Sequence, residues 1–288
     1  MAKLSEGIYE KHGTSFRTLI LTDGGCSITV APERGGMMIS MKKGEEEYVW
    51  LRDRNFESTE RPRCAVPILF PCCGAPKDGV HIFGGKGYPM ENHGLADLVA
   101  WNVKRADDSA VELELKENGL TRFVYPFPFR LVQKYELNGP KATLTLTVEN
   151  TGSETMPFSV GYHPYFCISD IENVTFDVHA ETAGKAWHSE LVPMREAAAF
   201  RHTDASEQMI NMRGVKSPMI LRDSGNGHTV RLDFDEKFTN AVLWEQEAES
   251  FIAMEPWNGW PNSVNEPGRH EELTPGQTMT FIWSITID

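Results

Sequence analysis

The chain has 288 residues, of which 40% are apolar and 24% are charged, a composition typical of a folded globular protein with a substantial core. Its formal net charge is −13, from 28 lysines and arginines against 41 aspartates and glutamates. This excess of carboxylates disfavours nucleic acid and anionic membrane surfaces as partners. The 5 cysteines are odd in number and lack CxxC spacing, which argues against both a disulfide framework and a zinc knuckle.

No stretch of the sequence approaches the about 18 consecutive apolar residues of a membrane-spanning helix. The first residues, MAKLSEGIYEKHG, lack the apolar core of a secretion signal. We therefore expect a cytoplasmic protein that makes no contact with membranes.

Period-two alternation of apolar and polar residues dominates the chain and predicts strands with one solvated face. The alternation recurs at residues 15–22, 26–32, 110–117, 129–137, 142–150, 173–180, 228–235, 240–246, 250–256 and 279–287. Turn signals such as DGG, NGP and SGNG separate these stretches, and no βαβ alternation interrupts them. The sequence predicts an all-β protein, a large antiparallel β-sandwich or barrel with few short helices.

Only residues 204–212, DASEQMINM, look helical. Asp204 is a candidate N-cap, and Glu207 follows at the spacing of a capping box. Helix is therefore expected to be a minor part of the fold.

Two stretches break the strand rhythm, residues 61–101 and 255–270. Both are dense in glycine, proline, aromatic and ionisable residues, as expected of long functional loops on a rigid β scaffold. No internal repeat or linker divides the chain, which predicts a single domain over residues 1–288.

Three positions combine an ionisable side chain with neighbouring aromatic residues, glycine and proline: His93, His163 and Glu255. Pro164 removes a backbone donor directly after His163, which predicts that this imidazole lies at a strand end. Glu255 has a similar setting, between the apolar run FIAM and Pro256. Because burial raises a carboxyl pKa from about 4.3 and imidazole titrates near 6.5, the two groups together can exchange protons with a substrate near neutral pH.

The residues around these groups suit a polyol ligand. Flat apolar faces for a sugar ring are supplied by Tyr162, Phe166, Trp257 and Trp260. Hydrogen-bond donors for hydroxyls are supplied by Arg63, Asn92, Asn258 and Asn262. From the pattern alone, structural roles stay open, since a histidine beside aromatic rings is more often a packed residue and a glutamate at a strand end is as often an ion-pair partner.

Five ordered motifs identify a family resemblance: RCAVPILFPCCG, GYPMENHGLADLVAW, YPFPFRL, MPFSVGYHPYF and FIAMEPWNGWPN. With these motifs in this order, from about residue 15 to the C-terminus, the chain resembles the aldose 1-epimerase (galactose mutarotase-like) family, particularly its bacterial branch of diverse members. The resemblance implies a single large β-sandwich of many antiparallel strands with a sugar cleft across its face.

The resemblance also implies catalytic roles. His163 corresponds to the family's acid, Glu255 to its base and His93 to its second histidine, which hydrogen-bonds a ring or neighbouring hydroxyl. Glu255 would remove the proton of the anomeric hydroxyl while His163 protonates the ring oxygen, at opposite sides of the anomeric centre. The hemiacetal then opens and recloses as the other anomer, and no cofactor is needed.

Residue pattern and resemblance together predict the substrate contacts. Arg63 resembles the family's sugar-contacting arginine, and Asp233 or Asp235 is expected to anchor a hydroxyl. The other expected contacts are Asn92, Tyr162 and Trp257. The expected partner is a small monosaccharide, and the protein is expected to be a monomer or a homodimer.

The chain departs from one branch of the family at HGLAD. The branch that acts on hexose 6-phosphates typically reads HGFAR, whose arginine helps to hold the phosphate, whereas this chain has Asp97. A carboxylate there repels a dianion, so a free hexose is the expected substrate. Other basic residues nearby in sequence leave a phosphate site open: Arg61, Arg63, Lys77 and Lys86.

Three alternatives remain from the sequence. The protein could be a hexose-6-phosphate 1-epimerase, or a sugar-binding protein without catalysis. A metal-dependent lyase or hydrolase would need ligands such as His81, His93 and Cys72 or Cys73. Activity is expected to fall below about pH 5.5, as Glu255, the proposed base, becomes protonated.

Overall fold

A computed structural model describes residues 2–11, 13–52, 56, 61–185, 191–194, 207–246 and 249–288, with the backbone alone at residues 207 and 208. These residues form 25 strands. The first twelve are β1 (Lys3–Lys11), β2 (Thr14–Asp23), β3 (Cys26–Ala31), β4 (Met37–Lys43), β5 (Glu46–Glu47), β6 (Ile68–Leu69), β7 (Val80–Phe83), β8 (Lys86–Pro89), β9 (Asn102–Asp107), β10 (Ala110–Lys116), β11 (Phe129–Asn138) and β12 (Lys141–Asn150).

The remaining strands are β13 (Met156–Phe158), β14 (Gly161–Tyr162), β15 (Tyr165–Cys167), β16 (Val174–His179), β17 (Thr182–Gly184), β18 (Val192–Pro193), β19 (Glu207–Arg213), β20 (Lys216–Asp223), β21 (Thr229–Phe234), β22 (Asn240–Gln246), β23 (Phe251–Trp257), β24 (Glu271–Leu273) and β25 (Thr278–Ile287). A short helix, α1, spans Gly119–Val124. Single 3₁₀ turns lie at Lys77–Gly79, Ala96–Leu98, Ile171–Asn173 and Ser263–Asn265.

Two eight-stranded sheets organise the fold. The site sheet has the order β18-β17-β19-β22-β23-β14-β6, with β15 also paired to β23, and the back sheet has the order β16-β20-β21-β25-β12-β11-β10-β9. A five-stranded meander, β1 to β5, and the two-stranded pairs β13-β24 and β7-β8 complete the structure. The long ladders are antiparallel. The prediction of an all-β antiparallel sandwich is confirmed.

The back sheet forms because its sequence alternates with period two. In β11 and β12 every second side chain is buried, including Leu131, Leu144 and Val148, while the residues between them are partly exposed. The two sheets meet where the ring of Tyr162 from β14 lies 4.7 Å from the ring of Trp283 on β25. Each fully buried large apolar side chain stabilises the fold by about 1.5–3 kcal/mol, so this alternation fixes which face of each strand points inward.

The prediction of a helix at residues 204–212 is wrong for residues 207–212, the part that the structure describes. Residues 207–212 belong to β19, which pairs residue by residue with β22, from Glu207 opposite Gln246 to Arg213 opposite Asn240. Seven consecutive cross-strand pairs outweigh a local capping signal, because helix propensity is a weak preference that tertiary pairing overrides. Residues 204–206 lie outside the described residues.

Helix α1 begins at a capping box that the sequence analysis missed. The side chain of Asn118 accepts hydrogen bonds from the backbone N–H groups of Leu120 and Thr121, and the Thr121 hydroxyl accepts one from the Asn118 N–H. With six residues, α1 is far shorter than a membrane span. In the part of the chain that the structure describes, no helix is long and apolar enough to cross a membrane.

His81 on β7 is a buried histidine outside the sugar cleft predicted above. It is 0% exposed, and neither ring nitrogen has a partner at hydrogen-bonding geometry within the described chain. Burial lowers its pKa to about 4, against a smaller opposing effect of Asn265. The folded state therefore resists protonation at a pH where the unfolded chain accepts a proton.

We expect His81 to make the free energy of unfolding pH-dependent. Its folded-state pKa is below its unfolded value, so its contribution is complete above about pH 6.5 and is lost towards pH 4, by up to about 3 kcal/mol. Urea denaturation at pH 7 and pH 4.5 should show a smaller stability difference for His81→Gln than for the wild type. Equal differences in the two proteins would contradict this origin.

Candidate active site

A cavity of about 300 Å³ opens on the site sheet. This volume lies at the lower end of the range of small-molecule sites, which begins near about 300 Å³. The side chains that give the cavity its chemical character are Arg61, Arg63, Glu91, Asn92, His93, Asp97, His163, Tyr165, Trp244, Glu255 and Trp257. The mixture of charged groups, imidazoles and aromatic faces suits a small polar ring with an apolar side.

Strand register makes His163 and Glu255 neighbours. Strand β23 pairs on one side with both β14 and β15. The paired positions are Gly161 with Trp257 and Tyr165 with Ala253. Continued through the gap between β14 and β15, the same antiparallel register puts His163 opposite Glu255. Residues that face each other in this way have their side chains on the same side of the sheet.

The two side chains are in direct contact. His163 Nε2 lies 3.3 Å from Glu255 Oε1, and Trp257 Nε1 donates a hydrogen bond of 3.1 Å to Glu255 Oε2. Burial raises the pKa of Glu255, which is 1% exposed, and the Trp257 hydrogen bond opposes this only in part. Burial lowers the pKa of His163 to about 3. The two pKa shifts favour a protonated, neutral carboxyl on Glu255 and a neutral imidazole on His163. The pair therefore shares one exchangeable proton, which lies preferentially on the carboxyl.

Aromatic rings fix the orientation of the His163 imidazole. It stacks on Tyr165 with ring centroids 4.5 Å apart and an interplanar angle of 11°. Trp244 meets it edge-on at 5.8 Å. The ring is thus packed on one face and along an edge, which limits its rotation away from Glu255.

His93 supplies a neutral N–H group beside this pair. Its Nδ1 accepts a hydrogen bond of 3.1 Å from the Gly74 backbone N–H, so the proton of the neutral ring is on Nε2. Burial, reinforced by the positive potential of neighbouring groups, lowers the pKa of His93 well below its ordinary value. The ring centroid lies 5.4 Å from those of His163 and Trp257. His93 is therefore a hydrogen-bond donor, not a cation.

Gly94 is required by a close approach of two backbone segments. Its φ is +82°, and a Cβ at this position would lie 2.2 Å from the carbonyl oxygen of Phe70. His93 also has a positive φ, of 67°. Any L side chain at 94 would therefore force the segment that carries His93 away from the site sheet.

Asp97 forms a buried ion pair with Arg61. The carboxylate is 1% exposed and accepts hydrogen bonds from Arg61 Nη1 at both of its oxygens, while Arg61 Nη2 donates to the Gly94 carbonyl at 2.7 Å. Burial raises the pKa of Asp97, and the charge of Arg61 opposes that shift. The sequence analysis treated Asp97 as a free negative charge. The structure corrects this, because Arg61 largely compensates the carboxylate.

Six of the predicted site residues line the cavity. His93, His163 and Glu255 lie together in one corner of it, as just described. Arg63, Asn92 and Trp257 are the other three, the first two being exposed side chains at the rim and Trp257 a buried wall.

Tyr162 does not reach the cavity, and its predicted sugar contact is corrected. Because alternate residues of a strand face opposite sides, Tyr162 points away from His163 and into the core. Its hydroxyl donates a hydrogen bond of 2.6 Å to Gln133 Oε1 on β11.

The predictions for Asp233 and Asp235 are also corrected, because Asp233 lies on β21 of the back sheet and Asp235 follows directly after that strand. Asp233 pairs with Arg231 at 2.6 Å, and Asp235 accepts a hydrogen bond of 2.8 Å from the Ile282 backbone N–H. Neither aspartate lines the cavity.

Several lining residues were missed by sequence reasoning. Tyr165 could have been found, because it lies two residues after His163 and period two puts it on the same face. Trp244 and Met209 come from β22 and β19, and only the sheet order brings them to the cavity.

The ligands considered for a metal do not converge. Within the described residues, no group of three or more His, Cys, Asp or Glu side chains is arranged to hold a metal ion. Cys72 and Cys73 are buried thiols whose pKa values burial raises. His81 lies on β7, outside the cavity lining.

Comparison with known proteins assigns the family. The sequence model described as aldose 1-epimerase matches residues 17–286. The chain belongs to the aldose 1-epimerase family. The chromosomal protein LacX of Lactococcus lactis subsp. lactis is similar, with 28% identity over 288 residues, which covers 88% of this chain and 94% of LacX. A putative glucose-6-phosphate 1-epimerase of Cenchrus ciliaris is 31% identical over 157 residues, covering 49% of this chain and 44% of the relative.

Solved structures of similar proteins have the same fold. The Slr1438 protein of Synechocystis sp. PCC 6803 superposes with a TM-score of 0.86 at 23% identity, covering 94% of this chain and 95% of that one. A galactose mutarotase-like protein of Lactobacillus casei ATCC 334 gives a TM-score of 0.79 at 21% identity, over 94% of this chain and 100% of that one. At these identities the likeness concerns the fold alone, and the sandwich architecture of this family member is confirmed.

Proposed function

We propose that this family member is an aldose 1-epimerase that interconverts the α and β anomers of a free hexose without a cofactor. The observation that carries the proposal is the contact of 3.3 Å between His163 Nε2 and Glu255 Oε1 at the wall of a cavity of sugar-binding character. Membership of the family supports an isomerase on a small sugar.

The geometry of a cyclic sugar explains why the acid and the base are adjacent. The anomeric hydroxyl and the ring oxygen are bonded to the same carbon, so the groups that exchange protons with them must lie side by side. The sequence analysis expected the two groups at opposite sides of the anomeric centre. Their direct contact instead supports a mechanism in which both groups act from one side of the anomeric centre.

Ring opening needs one proton donor and one proton acceptor. In the step expected from the family, Glu255 accepts the proton of the anomeric hydroxyl and His163 gives a proton to the ring oxygen, as the bond between C1 and that oxygen breaks. The product is the open aldehyde. Rotation about C1–C2 and closure with reversed proton transfers give the other anomer, so no proton is gained or lost.

The single proton of the pair matches this requirement. With the proton on the carboxyl, Glu255 is the donor and neutral His163 the acceptor; after transfer across the 3.3 Å contact, the roles are reversed. Opening the ring of either anomer uses the proton on His163 and leaves it on Glu255, so one tautomer starts ring opening and the other starts closure of the open aldehyde. A pair with no proton lacks a donor, and a pair with two protons lacks an acceptor.

The other cavity residues would hold the sugar. His93 Nε2–H can donate to a ring or neighbouring hydroxyl, and Trp257, buried in the cavity wall, holds Glu255 in place through its indole N–H. Arg63 and Asn92, at the rim, are donors for the outer hydroxyls.

Glu255→Gln tests the central role of the pair. The substitution keeps the side-chain volume and removes the proton acceptor, so we expect catalysed mutarotation to fall by about 10²–10⁴-fold while sugar still binds. The measurement is polarimetry on freshly dissolved α-glucose or α-galactose, with the buffer rate subtracted. The control is Glu136→Gln on β11, whose carboxylate pairs with Lys134 at 2.7 Å on the back sheet. Wild-type protein that binds sugar but leaves the buffer rate unchanged would be a sugar-binding protein without catalysis.

The pH profile tests the single-proton state. Because the pKa of Glu255 is raised and that of His163 is lowered to about 3, we expect activity to persist below pH 5.5 to about pH 4. On the alkaline side, activity should decline as the pair loses its proton. The expected activity down to about pH 4 differs from the decline below about pH 5.5 that the sequence alone predicts from protonation of Glu255. A rate that falls between pH 6 and pH 5 in protein still folded by circular dichroism would contradict the single-proton mechanism.

Asp97→Asn tests the preference for a free hexose against a hexose 6-phosphate. The alternative activity, that of a hexose-6-phosphate 1-epimerase, is favoured by Arg61 and Arg63, which both line the cavity. Removing the carboxylate leaves Arg61 with the exposed carboxylate of Glu91 at 3.9 Å as its remaining ion-pair partner among the described residues, so kcat/KM for glucose 6-phosphate relative to glucose should rise about tenfold, equivalent to about 1.4 kcal/mol. Asp233→Asn on the back sheet is the control. A wild-type protein that already prefers glucose 6-phosphate would overturn the assignment of a free hexose.

A further inference from the structure

A second cleft, here called the Arg213 cleft, opens beside the site sheet. It has a volume of about 340 Å³ and is lined mainly by polar and charged groups, including Arg213, Asn240, Trp260, Glu266, Arg269 and Glu271. Among the described residues, it shares no lining residue with the candidate active site. The cleft is therefore a separate feature, and neither the proposed reaction nor the family assignment uses it.

Strand register relates the cleft to the active-site cavity. Arg213 on β19 pairs with Asn240 on β22, which in turn pairs with Trp257 on β23. Directly opposed residues share a face, so Arg213 projects on the same side of the sheet as Trp257. Two strand spacings, about 10 Å, separate their backbones.

The guanidinium of Arg213 is held in place but lacks a counter-charge. Its Cζ lies 4.1 Å from the centre of the Trp260 ring, and its Nε is buried with no hydrogen-bond partner within the described chain. Burial has the largest effect on the pKa of Arg213 and lowers it. The charge of Arg269 lowers this pKa further, and the charge of Glu266 has a smaller effect that raises it. The charge that acts most strongly on Arg213 is thus another cation.

Several other arginines of this acidic protein form ion pairs. Arg17, Arg130 and Arg231 each contact a carboxylate at 2.5–2.6 Å. In the described part of the structure, neither Arg213 nor Arg269 has such a contact. In a chain with 41 carboxylates, two guanidinium groups that have no ion pair among the described residues, one of them partly buried, point to a ligand that supplies negative charge.

The carboxylates of the cleft are already engaged by amides. Glu271 Oε1 accepts a hydrogen bond of 2.8 Å from Asn258, and Glu266 Oε1 accepts one of 3.1 Å from Asn262. These hydrogen bonds hold both carboxylates away from ion-pair distance to Arg213. The guanidinium donors therefore remain open to the cleft.

We propose that the Arg213 cleft binds a small oxyanion, phosphate or a phosphate monoester, between Arg213 and Arg269. A planar guanidinium donates two parallel hydrogen bonds to a phosphate, and such charge-assisted bonds are among the strongest in proteins. Stacking on Trp260 fixes the plane of the Arg213 fork, so little side-chain freedom is lost on binding.

Calorimetric titration with inorganic phosphate at low ionic strength tests the proposal. We expect the wild type to bind phosphate with a Kd at or below about 1 mM, equivalent to about −4 kcal/mol. Arg213→Met and Arg269→Met should each weaken binding at least about tenfold. Arg269 is exposed, so its substitution does not endanger the fold. Arg122→Met is the matched control, since this arginine lies on α1 and pairs with Glu117 at 3.1 Å, and it should bind phosphate as the wild type does.

Two results would overturn the proposal. One is a wild-type protein that does not bind phosphate, or phosphate binding that is unchanged in both Arg213→Met and Arg269→Met. The other is binding that Arg63→Met abolishes and Arg213→Met leaves intact, which would assign the anion to the active-site cavity. Mutarotation of glucose should be unaffected in Arg269→Met, so this test does not depend on the proposed epimerase activity.

A second titration identifies the source of the phosphoryl group. Equal Kd values for glucose 6-phosphate and inorganic phosphate would indicate a site for free phosphate. At least about tenfold tighter binding of glucose 6-phosphate, lost in Arg213→Met, would indicate a phosphorylated ligand. Glucose alone should not compete with phosphate at this cleft.

Discussion

The pairing of β23 with β14 and β15 is the constraint on which the site depends. It sets His163 and Glu255 opposite each other although 92 residues separate them in the chain. A slip of one residue in this register would turn Glu255 to the opposite face of the sheet, because side chains alternate with period two. The contact between the two side chains, their burial and the proton that they share all follow from this backbone pairing. The pairing itself depends on backbone hydrogen bonds and not on the side chains of His163 and Glu255.

The opposite face of the same strands belongs to the core. Tyr162, adjacent to His163, is fully buried and is held by Gln133 and Trp283 of the back sheet. The reactive pair is therefore carried by strands whose positions are fixed by the packing of the sandwich. Such rigid support keeps the two groups at a separation suited to proton transfer without a movement of the backbone.

Sequence reasoning predicted most of the fold because period two is a local signal, readable in β11, β12 and β25 without knowledge of their partners. It failed at residues 207–212, where a local capping pattern was overridden by pairing with β22. It located His93, His163 and Glu255 from their unusual neighbours and from the family motifs. Tyr162, Asp233 and Asp235 were placed wrongly because side-chain direction and sheet membership are properties of the assembled fold.

The ion pair of Arg61 and Asp97 joins residues 36 positions apart, and no short-range pattern could have predicted it. Its effect on the cavity is to replace one free negative charge by a nearly neutral group. The sequence alone could therefore predict which types of residue line the cavity. It could not predict the net charge of the cavity, which depends on this long-range ion pair.

The contact between Gly94 and the Phe70 carbonyl limits how this protein could change during evolution. Since no larger residue fits at 94, the turn that carries His93 is locked to strand β6 and its extension. New ligand preferences would have to arise at the exposed rim, through Glu91, Asn92 and Arg63, where substitutions disturb no packed backbone. The fold thus separates a tightly packed corner, which tolerates few substitutions, from an exposed entrance, which tolerates more.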